Sequence, residues 1–170
     1  MGRSSDRSFC SCLVPHALLP VIALVQRARS ASVRVGGETA GEIGAGLLVL
    51  LGVLAGDTDA EARALADKTA RLRIFPDDAG RMNRSLVDTG FEALAVSQVT
   101  LAADASRGTR PSFVRAAPPD EARALYGAFV RHLEAALGRP VPPGRFGADM
   151  DVHLVGWGPV TIWLERAPPA

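Results

Sequence analysis

The chain has 170 residues and a mass of 17.8 kDa, which suits one compact domain because hydrophobic cores divide only beyond about 250 residues. Its 48% hydrophobic and 22% charged residues argue against an intrinsically disordered chain, a collagen-like repeat and a coiled coil. A balance of 19 Lys and Arg against 18 Asp and Glu gives a net charge of +1, so the overall charge indicates no particular partner.

The segment at 9–25 is apolar and follows two arginines, a pattern that secretory signals share. Two prolines interrupt it, and it is shorter than the roughly 20 residues that span a bilayer. Residues 21–25 also fit the first strand of the domain better than the end of a secretory signal. We therefore interpret residues 1–20 as an N-terminal extension, disordered or not translated, before one domain at 21–166 and a tail at 167–170. We expect a cytoplasmic protein with no membrane partner.

Aliphatic and alternating runs predict strands in the first part of the domain. Residues 21–27 and 31–35 each predict a strand, and the Gly36-Gly37 turn leads into a short return strand at 39–43. The aliphatic run at 46–53 is too short for a membrane span and is typical of a strand buried on both faces. This run is therefore expected at the centre of a sheet.

Thr58 and Glu61 have the spacing of a capping box, which predicts a first helix that runs to about Leu72. The polar stretch at 73–90 contains turn residues and is interpreted as a connection. Residues 91–99 then predict a further strand.

Residues 100–119 predict a long loop, and loops of that length in compact domains are usually functional. Apolar residues at helical spacing from 122 to 137 predict a second helix, ended by Gly138. Residues 148–155 and 160–165 predict two strands joined by a turn at 156–159. Consecutive hairpins with two helices predict a mixed, largely antiparallel α/β fold with two main helices packed on one side, and not a doubly wound dinucleotide fold.

Metal ligands are few and scattered. Cys10 and Cys12 are one residue apart, which is poor spacing for a disulfide. His16, His132 and His153 have no cysteine or second histidine at ligand spacing. We expect no metal and no cofactor.

The motifs of conventional hydrolases and nucleotide-binding proteins are absent, including Gly-x-Ser-x-Gly and the P-loop. The best polar cluster is Ser97-Gln98-Val99-Thr100, at the end of a predicted strand where side chains face an open edge. Ser, Gln and Thr are also ordinary turn residues, and Gly158-Pro159 has the composition of a plain turn. From the residues alone, both segments remain either ligand sites or turns.

Several blocks follow one another along residues 21–165: Ala-Leu-Val-Gln-Arg at 23–27, Ser-Gln-x-Thr at 97–100, Arg-Pro-Ser-Phe at 110–113, Gly-Arg-Phe-Gly-Ala-Asp-Met at 144–150 and Gly-Pro-x-Thr at 158–161. In these blocks the chain resembles the D-aminoacyl-tRNA deacylases, also called D-tyrosyl-tRNA deacylases. Single blocks would be weak, and the agreement rests on their order.

The resemblance implies a homodimer of mixed α/β domains that hydrolyses the ester between a D-amino acid and the terminal adenosine of tRNA. This activity is chiral proofreading in translation, and its partner is aminoacylated tRNA. The resemblance also implies that Gly158-Pro159 is cis and reaches into the pocket of the other subunit, where its carbonyls exclude L side chains. Arg27 matches the arginine that orients this segment.

By the same resemblance, Ser97 and Gln98 hold the aminoacyl group, with backbone N–H donors suited to an oxyanion. Phe146 and Met150 match the region that receives the terminal adenine. The adenosine 2′-hydroxyl is expected to assist water, so no side-chain nucleophile is required. Thr100 is the alternative, as a covalent nucleophile, although no base lies at an identifiable spacing from it.

The chain departs from the family pattern at both motifs. Val99 stands where the family has Phe, and Ala102 where it has Tyr, which thins an aromatic wall of the pocket. Gly156 stands where the family has Asn, and Trp157 occupies the variable position before Gly158-Pro159. The lost Asn leaves that segment more mobile unless Trp157 restores order by packing across the dimer.

These departures keep two alternatives open. One is a catalytically weakened homologue that binds tRNA or nucleotide, and the other is an enzyme that edits glycine or an L-amino acid misattached to tRNA.

Overall fold

A computed structural model describes residues 21–106 and 108–166. The expected extension at 1–20 and tail at 167–170 lie outside the described residues. The strands and helices occur in this order: β1 Val21–Val35, β2 Glu38–Ile43, β3 Gly46–Gly52, α1 Asp59–Arg71, β4 Phe75–Pro76, β5 Met82–Arg84, α2 Leu86–Thr89, β6 Glu92–Ser97, a 3-10 helix Val99–Ala102, α3 Pro119–Leu137 and β7 Asp151–Arg166.

The main sheet is built around β1. Residues 22–28 of β1 pair antiparallel with β3, residues 31–35 pair antiparallel with β2, and β7 pairs antiparallel with nearly the whole of β1. β6 lies parallel to β3. The prediction of a mixed, largely antiparallel α/β fold is therefore confirmed, and β3 occupies the interior position expected from its aliphatic sequence.

The two long helices pack together against one face of the sheet. Alternate residues of β1 and β3 on that face, such as Val25 and Val49, join Leu65 of α1 and Phe129 of α3 in one buried cluster. A second cluster, which includes Val33, covers the opposite face. The prediction of two main helices on one side holds, and the third helix, α2, is a single turn.

The bounds of α1 and α3 follow from their end residues. Thr58 and Glu61 form the predicted capping box, with the Thr58 N–H donating to Glu61 Oε2 at 2.9 Å. α3 begins at Pro119 and ends before Gly138, which adopts a left-handed conformation with φ 67°. Both predicted helices are thus confirmed within a few residues.

Two predicted interruptions of strands are wrong. The predicted strands at 21–27 and 31–35 are one strand, because β7 pairs along almost the whole of β1. The predicted turn at 156–159 is also absent, since β7 runs from Asp151 to Arg166 and passes through this segment as a bulge. Pairing with a long partner strand overrides the local turn signal there.

The two connections contain more structure than the sequence predicted. Within 73–90, β4 and β5 form a small antiparallel sheet, and Ser85 and Asp88 cap α2 with a capping box. Within 100–119, the 3-10 helix is followed by an antiparallel bridge between Asp104 and Ser112. β6 also ends at Ser97, two residues before the predicted end of its strand.

Candidate functional site

A cavity of about 510 Å³ lies at the carboxyl ends of β3 and β6. The start of α3 and the segment that leads into β7 complete its walls. Its lining residues are Leu51, Val53, Val96, Ser97, Gln98, Val99, Ala117, Pro119, Ala122, Tyr126, Phe146, Gly147, Ala148, Asp149, Met150 and Val152.

Ser97 and Gln98 form the polar end of this cavity. The buried run from Ala93 to Val96 holds β6 in the core, and both polar residues are half-buried where the strand emerges. The Gln98 N–H donates to the Leu51 carbonyl at 2.7 Å, and its side-chain amide donates to Thr100 Oγ1. The backbone N–H of Gln98, which the resemblance implies as an oxyanion donor, is thus bonded to β3 here, and its role toward the ester stays a prediction. The Gln98 side chain is also turned toward Thr100.

Phe146, Met150 and Tyr126 form an apolar wall of the cavity. The Phe146 and Tyr126 rings have centroids 5.9 Å apart, and the Arg123 guanidinium carbon lies 4.7 Å from the Phe146 centroid. The segment that carries Phe146 is tied to β6, because the Gly144 N–H donates to the Ala95 carbonyl at 2.7 Å. This wall offers flat aromatic surface beside a polar strand end.

Tyr126 is a polar site residue that could not be selected from the sequence. Its spacing among the apolar residues at 122–137 assigns it to the core face of α3, and only its being the one tyrosine of the chain sets it apart. Its hydroxyl donates to the Ala95 carbonyl at 2.9 Å, and burial raises the pKa of this phenol to about 12. Tyr126 therefore stays protonated and fixes α3 to the strand that carries Ser97.

Gly158 and Pro159 lie outside this cavity, as does Arg27. The Gly158-Pro159 peptide bond is cis, and both residues are exposed. Arg27 is buried beneath them: its Nε donates to the Trp157 carbonyl at 2.9 Å and its Nη1 donates to the Ile74 carbonyl. Burial, with the nearby charge of Arg29, lowers the pKa of the Arg27 guanidinium.

The structure thus brings five of the nine predicted site residues into one cavity: Ser97, Gln98, Val99, Phe146 and Met150. Thr100 is exposed and is not among the lining residues. Arg27, Gly158 and Pro159 form a separate group around the bulge of β7. Within residues 21–106 and 108–166, no three His, Cys, Asp or Glu side chains come together as a metal site.

The family model described as D-Tyr-tRNA(Tyr) deacylase matches residues 24–165. The chain belongs to this family. It is 58% identical over 143 residues to a D-aminoacyl-tRNA deacylase of Cereibacter sphaeroides (strain KD131 / KCTC 12085), covering 84% of this chain and 98% of the relative. It is 59% identical over 145 residues to one of Roseiflexus sp. (strain RS-1), covering 85% of this chain and 93% of the relative.

Among solved structures, the chain resembles the c-Myc DNA Unwinding Element Binding Protein, with a TM-score of 0.81 and 40% identity. The match covers 88% of this chain and 99% of that one. Family membership confirms the resemblance drawn from the ordered blocks and the prediction that the chain is a D-aminoacyl-tRNA deacylase, a hydrolase. None of the described helices is long and apolar enough to cross a membrane.

Proposed function

We propose that the protein hydrolyses the ester of D-aminoacyl-tRNA and releases the free D-amino acid and tRNA. The observation that carries this is the cavity with Ser97 and Gln98 at one end and the Phe146 wall at the other. Its volume of about 510 Å³ lies within the range of small-molecule pockets, about 300–1,000 Å³. An aromatic wall suits the adenine ring, and a polar strand end suits the ester.

The catalysis that we propose depends on positioning the ester and the attacking water, and on stabilising the negative charge that develops on the carbonyl oxygen. Water attacks the ester carbonyl, the acyl–oxygen bond breaks, and the 3′-oxygen of the terminal adenosine leaves as a hydroxyl. The adjacent 2′-hydroxyl assists the attacking water. The cavity lining holds no histidine or cysteine, which supports a route without a side-chain nucleophile and base pair.

Thr100 is less suited to be a covalent nucleophile in this proposal. Its hydroxyl accepts a hydrogen bond from the Gln98 amide and its side chain is exposed outside the cavity lining. A nucleophilic hydroxyl needs an adjacent base that removes its proton, whereas an amide N–H does not do so. We therefore assign Thr100 to holding the strand end beside Ser97.

We propose further that two copies of the chain form the working enzyme in the cytoplasm. β7 pairs only with β1 among the described strands, and its 16 residues include the exposed apolar side chains of Val152, Val155 and Trp163. Gly158 and Pro159 are exposed and are not among the lining residues of the cavity. A second copy accounts for the exposed apolar side chains of β7 by covering them. It also accounts for the exposed Gly158-Pro159 segment, because in this proposal the segment of each copy enters the cavity of the other and rejects L side chains, which is chiral proofreading.

The test is hydrolysis of D-tyrosyl-tRNA and L-tyrosyl-tRNA by the full chain, with sedimentation to establish the oligomeric state. We expect fast loss of the D ester only, and a loss of selectivity or activity when Gly158→Ala and Pro159→Ala are combined. Phe146→Ala is expected to raise KM more than it lowers kcat, because the wall contacts the adenosine and not the reacting bond.

Other outcomes identify the alternatives. Slow or absent turnover with tight binding of tRNA would indicate the weakened homologue that the Val99 and Gly156 departures suggested. Preferential hydrolysis of glycyl- or L-aminoacyl-tRNA would indicate the other editing activity. Either result would refute the proposed D-specific hydrolysis.

A further inference from the structure

Trp157 packs in a cluster of aromatic rings and cations within its own chain. Its ring centroid lies 6.1 Å from that of Phe75 and 6.0 Å from that of Phe91. The guanidinium carbons of Arg29 and Arg27 lie 3.9 Å and 5.0 Å from the same centroid. The ring therefore contacts two like charges with its electron-rich face and joins them to the apolar core.

The backbone next to Trp157 has little support from the sheet. Between the pairs Gln26–Thr161 and Ala28–Gly156, β1 contributes one residue and β7 contributes the four residues 157–160. These four residues bulge away from the ladder, and within them Gly158 and Pro159 are exposed. Side-chain contacts therefore have a larger share in holding these residues than they have elsewhere on β7.

Two side-chain connections hold the bulged residues 157–160 of β7. Arg27 bonds the Trp157 carbonyl and the Ile74 carbonyl, and so joins the bulge to the chain before β4. The Trp157 ring packs on Phe75, which is fully buried in β4, and covers the Arg27 guanidinium. At the preceding residue, a Cβ added to Gly156 would meet nothing within 4 Å, so position 156 provides no packing.

Gly158 is also in close contact with Arg27. A Cβ at Gly158 would lie 2.9 Å from Arg27 Nη2, so a displaced guanidinium would change the space available to this glycine. The Trp157 ring lies on the guanidinium and limits such displacement.

We propose that Trp157 is a positioning residue, which fixes the Arg27 guanidinium and through it the conformation of the Gly158-Pro159 segment. This inference rests on the proposed function, in which that segment determines the choice between D and L esters. In this proposal Trp157 acts from within its own subunit, whereas the sequence left open either a more mobile segment or packing of Trp157 across the dimer.

The test compares Trp157→Ala and Trp157→Phe with Val87→Ala as the control. Val87 is a large apolar side chain that is 44% exposed in α2, away from the cavity lining and from β7. We expect Trp157→Ala to lower the ratio of kcat/KM for D-tyrosyl-tRNA to that for L-tyrosyl-tRNA at least tenfold. Trp157→Phe should keep the ratio within about threefold of the wild type, and Val87→Ala should leave it unchanged.

Hydrogen exchange of the peptide that contains residues 156–160 provides a measurement independent of activity. In Trp157→Ala we expect at least tenfold faster exchange there, with unchanged exchange in β3 and β6. An unchanged ester ratio in a folded Trp157→Ala protein would refute the positioning role. If the wild type hydrolyses neither ester, the proposed function fails, and unchanged exchange at 156–160 would then separately refute the positioning role.

Discussion

Gly46, the first residue of β3, is the position where one added methyl group is expected to cost the fold most. A Cβ at this position would lie 1.9 Å from the Glu92 carbonyl oxygen of β6, whereas Cβ contacts below 3.0 Å essentially never occur. The two strands would have to separate locally by about 1.1 Å, the difference between these distances. Both contacting groups are in the sheet, so neither can move without disturbing the ladder.

The cost of Gly46→Ala can be worked from this separation. Overpacking a well-packed site costs about 1–3 kcal/mol, and weakening two ladder hydrogen bonds adds about 1 kcal/mol each. The expected loss of about 3–5 kcal/mol is a large part of a typical unfolding free energy of about 5–15 kcal/mol. Since β6 also carries Ser97 and leads directly into Gln98, any folded fraction should have impaired ester hydrolysis.

Urea unfolding, followed by circular dichroism at one protein concentration, measures this loss. Gly44→Ala is the matched control, because a Cβ there would meet only the Glu92 Oε2 atom at an ordinary 3.5 Å. We expect the control to stay within about 1 kcal/mol of the wild type. Equal unfolding free energies for the two variants would refute the reasoning.

Two further predictions concern buried polar groups. Burial, with the nearby charge of Glu61, raises the pKa of Asp57 to about 6, so the native state holds this proton more tightly than the unfolded chain. The ionised carboxyl therefore destabilises the fold above pH 6, and Asp57→Asn should stabilise it at pH 8 by on the order of 1 kcal/mol after allowance for solvent screening. The gain should disappear near pH 4, and equal gains at both pH values in urea unfolding would contradict this. Tyr126→Phe should cost about 1 kcal/mol, or about 2–4 °C in Tm, because the Ala95 carbonyl keeps its bond from the Gly144 N–H. A Tm decrease above 10 °C would show that the hydroxyl does more than form this bond.

The helices could be predicted because their signals are local. The Thr58 and Glu61 capping box and the left-handed Gly138 act within one turn of the helix ends, and both appear where the sequence indicated. The capping box at Ser85 and Asp88 was an equally local signal, but it caps a helix of only four residues and was interpreted as part of a connection.

The strand interruptions could not be predicted because a strand's continuity depends on its partner. Gly156, Gly158 and Pro159 have the composition of a turn, yet β7 continues through them by pairing with β1 on both sides. The same long pairing makes β1 continuous. These pairs join residues more than 100 positions apart, and no local pattern contains that information.

The candidate site was predicted in part for a similar reason. Ser97, Gln98, Phe146 and Met150 were selected by resemblance, and the fold brings them to one cavity. Tyr126 was missed because its hydrogen-bond partner, Ala95, is 31 residues away and its spacing alone assigns it to the core. The placement of Arg27 beneath Gly158 likewise depends on the register between β1 and β7.

The cavity lining contains only two ionisable side chains, those of Tyr126 and Asp149. The pKa of Tyr126 is about 12, so its phenol keeps its proton throughout the neutral range, and Asp149 is exposed to solvent. A bound aminoacyl ester adds a group that changes charge near neutrality, the α-amine of the substrate, for which the ordinary pKa is about 8. The pH dependence of turnover is therefore expected to follow the pKa of the substrate's α-amine. It should shift from one amino acid to another and be insensitive to substitutions in the cavity wall.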